Sequence, residues 1–142
     1  LEHRLLNFIF KNNAAVSGDT FATPGDTIYV GLATAVSDAE GSTGSTGFTE
    51  ATFGAYARQQ VAASGWTLAS ASTDAQTVTN ASNVEFPAST GTSNVITHVI
   101  ITDNATTGNG NVLFVGALDA NKTIATGDIF RINAGNLTIE LK

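Results

Sequence analysis

With 142 residues and a net charge of −6, the chain is long enough for one domain that buries roughly two-thirds of its unfolded surface. Only 13% of residues are charged, about half the usual ~25%, and the six basic residues are scattered, which argues against a phosphate-tracking nucleic-acid groove. There is no cysteine for disulfides or thiolate metal sites, and no apolar run approaches the ~20 residues of a membrane-spanning helix.

The chain opens LEHRLLNFIFKNN without an initiator Met, which reads as a processed or incompletely represented N-terminus. Glu2 and the lack of a small-residue cleavage site argue against a signal peptide. Leu1 to Lys11 is expected as a helix within segment 1–13. Leu1, Leu5, Phe8 and Ile9 share one face, Leu6 and Phe10 widen it, and Asn12-Asn13 stops it. That face can pack on its own domain or dock into a neighbouring subunit. Ala14 to Gly25 reads as a polar loop closed by the turn Thr23-Pro24-Gly25-Asp26. Thr27 to Thr34 is an expected strand, and 37–47 (SDAEGSTGSTG) an exposed flexible loop. Further strands are expected from Tyr56, at Trp66 to Leu68, and at Asn83 to Phe86, ended by Pro87. Four more follow at Val95–Thr102, Asn111–Leu118, Ile129–Asn133 and Leu137–Leu141. The run Val95 to Ile101 is apolar on both faces, which suits a central strand with Ile100 buried. Gly127-Asp128 and Gly135-Asn136 read as hairpin turns, and Asp119 to Lys122 as another turn. The expected fold is mainly β: a single antiparallel β-sandwich domain spanning 1–142, jelly-roll-like, with about seven or eight strands and one short N-terminal α-helix.

Chemistry is sparse. His3 and His98 are the only histidines, and His98 near Asp103 offers half a triad without a G-x-S-x-G elbow. A histidine satisfied beside the sheet is the preferred reading, so no catalytic residue is assigned. Asp103, Asp119 and Asp128 suit turns through their bonds to backbone N–H groups. The oxygen-rich loop Asp103–Asn111 offers Ca²⁺ ligands, but its spacing does not match an EF-hand. Gly108-Asn109-Gly110 leads into a strand rather than a helix, so no phosphate cradle is expected. Phe48, Phe53, Tyr56 and Trp66 suit packing better than a carbohydrate platform. Arg58, in a mostly uncharged strand, calls for a carboxylate such as Glu50 or Asp103. No cofactor and no small-molecule substrate is expected.

Gly54-Ala55-Tyr56-Ala57-Arg58-Gln59 resembles the G-x-Y-A-R-Q signature of small tailed-bacteriophage virion structural proteins of the head-decoration and tail-fibre-like group. The likeness continues in order through the N-terminal helix, the Thr27–Thr34 strand, Asn83–Pro87, Val95–Asp103 with the turn at Gly108–Asn111, and the Lys122–Leu141 close. The longer 37–47 loop departs from it. The resemblance implies a non-enzymatic β-sandwich virion component. Its leading form is a capsid decoration (cement) protein on the head surface, bound to the major capsid protein and to itself as a homotrimer. The alternative is a tail or fibre component that binds host glycan through the Phe48–Trp66 region. The expected contacts are Leu5, Phe8, Ile9, Asn104, Asn109, Asn121 and Lys122.

Overall fold

The computed structural model describes residues 2–11, 27–39, 46–70 and 76–141. The mainly β, antiparallel architecture with one short helix holds, consistent with a β-sandwich. Among the described residues there are ten strands, more than the seven or eight expected, because several are only two or three residues long. Leu1, the 14–25 loop with its Thr23–Asp26 turn, and residues 40–45 of the expected flexible loop lie outside the described residues. The chain divides into two compact units.

The first unit takes residues Leu1–Ile28, Val61–Val84 and Ile132–Lys142. It holds helix α1 (Glu2–Lys11), a short 3-10 turn (Ala63–Gly65), and strands β4 (Trp66–Leu68), β5 (Gln76–Asn80) and β10 (Thr138–Leu141). These strands form an antiparallel sheet in the order β10–β5–β4. Directly opposed residues share a face. The register Leu68↔Val78↔Ile139, with Trp66↔Asn80, therefore puts Trp66, Val78 and Ile139 on one buried face, while Thr67, Thr77, Thr79 and Thr138 line the other. Helix α1 packs on β4, β5 and the 3-10 turn of its own chain. Among its described side chains Leu6 and Phe10 are fully buried, and the Phe10 ring meets Trp66 edge-on at 4.7 Å. Lys11 does more than favour the helix dipole: its Nζ donates to the carbonyls of Ala63 (3.0 Å) and Trp66 (2.8 Å). Asn80, 1% exposed, uses its whole amide. Its Nδ2 donates to the carbonyls of Ser82 and Asn133, and its Oδ1 accepts from the Leu137 N–H, so the turn ahead of β10 is fixed to β5.

The second unit takes Tyr29–Gln60 and Glu85–Arg131. Strands β1 (Ile28–Val36), β2 (Phe48–Glu50), β7 (Asn94–Thr102) and β8 (Val112–Ile124) run β2–β1–β7–β8, and β3 (Gln59–Val61) also pairs with β1. Strand β7 is central, as the apolar run predicts, but only Val99 to Thr102 are buried on both faces; Val95 is 47% exposed, and Thr97 and His98 are half-buried. The expected Asp119–Lys122 turn is instead a wide interruption inside β8. Ile96 pairs with Lys122 and His98 with Ala117, so four β8 residues stand against Thr97 alone. The two-residue strands β6 (Val84–Glu85) and β9 (Arg131–Ile132) pair with each other. Tight turns form at Thr106–Asn109, Ala125–Asp128 and Asn133–Asn136, each with a positive-φ glycine in third place. The last two do not close hairpins: β8 pairs with β7, β9 with β6 and β10 with β5.

Candidate functional site

The polar chemistry of the second unit gathers under the loop joining β7 to β8. It begins at Gly54, whose N–H donates to the Gly91 carbonyl at 2.8 Å and whose carbonyl accepts from the Thr90 N–H at 3.0 Å. A Cβ there would lie 2.8 Å from the Gly91 nitrogen, a backbone atom that cannot yield, so this crossing requires glycine. Ala55 follows at φ 68, and the chain reverses to carry Tyr56 inward. The Tyr56 ring meets Phe53 edge-on at 5.3 Å and stacks on Phe86 at 6.1 Å; Phe86 in turn meets Phe130 at 5.8 Å. Its hydroxyl passes over Gly31, accepts from the Leu32 N–H at 2.9 Å and donates to Glu50 Oε1 at 2.7 Å.

Two residues on, Arg58 completes the clasp. Its Nε donates to Glu50 Oε1 (2.7 Å) and Nη2 to Oε2 (2.9 Å), a bidentate pair. Nη1 donates to the carbonyls of Asn104 (2.8 Å) and Asn109 (2.9 Å) and, more weakly, to Thr102 Oγ1 (3.3 Å). The Arg58 side chain is wholly buried and that of Glu50 is 8% exposed. The Asp103–Asn111 loop is thus pinned from below by a cation that belongs to the protein. Its rim closes locally: both Asp103 oxygens accept from Asn111, and Asn104 Oδ1 accepts from the Thr106 N–H. Gly110, at φ +81, leaves no room for a side chain beside Asn104 and Asp103.

Burial, and after it the neighbouring Glu50 charge, push the Tyr56 hydroxyl far above its ordinary value, against weaker opposition from the Leu32 hydrogen bond and Arg58. The sign follows. Below pH ~10 the tyrosine is neutral folded and unfolded. Above it only the unfolded chain releases the proton, so stability falls with rising pH by up to about 1.4 kcal/mol per pH unit. Tyr56→Phe is expected to cost about 1–2 kcal/mol at neutral pH and to flatten the alkaline loss, read from urea melts at pH 8 to 11.

Of the two carboxylates offered to Arg58 by the sequence, Glu50 is the partner; Asp103 turns to Asn111. The loop carbonyls of Asn104 and Asn109 accept from the guanidinium, and among the described residues no group of three His, Asp or Glu side chains gathers. His98 Nδ1 lies 2.7 Å from Thr97 Oγ1, and Asp103 has its own partner. Phe48, Phe53 and Trp66 are 7% exposed or less, so they pack rather than form a carbohydrate platform. The clasp brings Asn104 and Asn109 together, with the Asn109 residue exposed. Asn121 and Lys122 are exposed at the other end of the β7–β8 pair. Leu5 and Ile9 belong to the first unit and are half-buried; the Phe8 side chain lies outside the described residues.

Residues 1–140 match the family model described as podophage GP4 fiber I protein gp80. No curated protein matches the chain.

Proposed function

The chain belongs to the podophage GP4 fiber I protein gp80 family, a family of phage virion structural proteins, and from that membership we propose that it is a non-enzymatic component of the fibre. The match over residues 1–140 carries the reading, because it spans both compact units rather than one motif. The buried chemistry supports it. A built polar cluster ties Arg58, Glu50 and Tyr56 to backbone groups of their own unit, and its hydrogen bonds hold a surface loop in shape. The fibre description favours a fibre position over the capsid decoration that the resemblance first suggests.

Antibody against the chain, imaged by electron microscopy on intact particles and on heads separated from tails, tests the placement. Label on fibres and its absence from separated heads is the expected result. Label on head shells alone would overturn the fibre reading and restore capsid decoration.

A further inference from the structure

Asn109-Gly110 is the only asparagine–glycine step in the sequence. In such a step the nitrogen of the following residue can attack the asparagine side-chain amide, and glycine has no Cβ to obstruct it. Asn109 is exposed, and its side-chain amide makes no hydrogen bond among the described residues. The Gly110 N–H likewise donates to no group among them. The Asn109 carbonyl, which shares a peptide group with that N–H, accepts from the buried Arg58 guanidinium at 2.9 Å. The described asparagines that precede alanine are held differently. Asn80 has its whole amide engaged, and the Ala81 N–H donates to the Gly65 carbonyl. Asn104 Oδ1 accepts from the Thr106 N–H, and the Ala134 N–H after Asn133 donates to Asn83.

We propose that Asn109 is a site of spontaneous deamidation, in which Arg58 activates the attacking nitrogen. That nitrogen reacts as its anion, whose negative charge spreads onto the Asn109 carbonyl oxygen. The guanidinium already donates to this oxygen and so favours the anion. Solvent takes the Gly110 proton, the nitrogen bonds to Asn109 Cγ, and the Cγ–Nδ2 bond breaks. Ammonia leaves with a proton returned by the solvent, and a cyclic succinimide remains. Water then adds to the former main-chain carbonyl carbon, which the same guanidinium polarises, and the bond from that carbon to the Gly110 nitrogen breaks. The main chain now runs through Cγ as isoaspartate, and the carbonyl that faced Arg58 has become a carboxylate. Water is the only co-reactant. The surface loop thereby gains a methylene of main chain and a negative charge as the protein ages, wherever the protein sits in the virion.

Purified full-length protein, incubated at mildly alkaline pH and followed by peptide mapping in a mass spectrometer, tests this directly. Isoaspartate is expected at Asn109 ahead of every other asparagine. It is expected to form about tenfold or more faster in the folded protein than in the same chain unfolded in guanidinium chloride, because only the fold brings Arg58 to the carbonyl. The double variant Arg58→Met with Glu50→Gln, shown to be folded by circular dichroism, is expected to lose that advantage. Deamidation at Asn109 no faster in the folded protein than in the unfolded chain would overturn the proposal. So would an undiminished rate in the folded double variant, or another asparagine reacting first.

Discussion

Arg58→Met is expected to destabilise the protein by about 3–5 kcal/mol, because it leaves the Glu50 carboxylate buried without its cation. The Asn104 and Asn109 carbonyls lose their donor at the same time. Arg58→Lys is expected to recover little, since an ammonium cannot span both Glu50 oxygens and two loop carbonyls at once. The informative comparison is the double variant Arg58→Met with Glu50→Gln. It removes the stranded charge but keeps an acceptor for the Tyr56 hydroxyl, and at least half of the lost stability is expected to return. Urea melts measure the energies, and hydrogen exchange at residues 103–111 reads the loop directly. If Arg58→Met costs no more than an exposed ion pair, under ~1 kcal/mol, the clasp is not buried as described.

Ile100→Ala is expected to cost about 2–5 kcal/mol. Ile100 is fully buried in central β7, in one cluster with Ala33 and Phe48. Opposite it stands Gly31, where a Cβ would come within 2.9 Å of Ile100 Cγ1 and 3.0 Å of the Tyr56 hydroxyl. The isoleucine fills the space that the glycine vacates. Gly31→Ala alone is therefore expected to destabilise by about 1–3 kcal/mol through overpacking. With Ile100→Ala in the same chain, much of that second penalty should vanish, because the new methyl enters the cavity. Strictly additive costs in denaturant melts would show that the two residues do not compete for one volume.

The architecture was legible in the sequence where local chemistry decides it. The apolar run in β7, the stop at Pro87 and the glycine turns all stand where the residue types put them. Pairing was not legible, because the turns at Gly127 and Gly135 specify a reversal but not which distant strand receives the chain. Strand β5 escaped notice because its inward residues are Gln76, Val78 and Asn80. Two amides in three buried places erase the alternation that marks a strand, and only the distant carbonyl and N–H partners of Asn80 explain its burial. In the first helix nearly every apolar residue belongs to one broad face, so periodicity could not single out Leu6 and Phe10, the fully buried residues among its described side chains. For Arg58 the sequence narrowed the partner to two carboxylates. The choice of Glu50 followed from the pairing of β2 with β1, which sets Glu50 opposite Ala33.

Two arginine–glutamate pairs described in the second unit differ in their response to the surrounding medium. Arg131 and Glu85 meet in the open, each about half exposed, where dissolved ions screen their attraction. Arg58 and Glu50 are sealed from those ions. A particle outside its host has no control over the brine or fresh water it drifts through. The clasp that shapes the Asp103–Asn111 loop is screened far less by salt than the exposed pair.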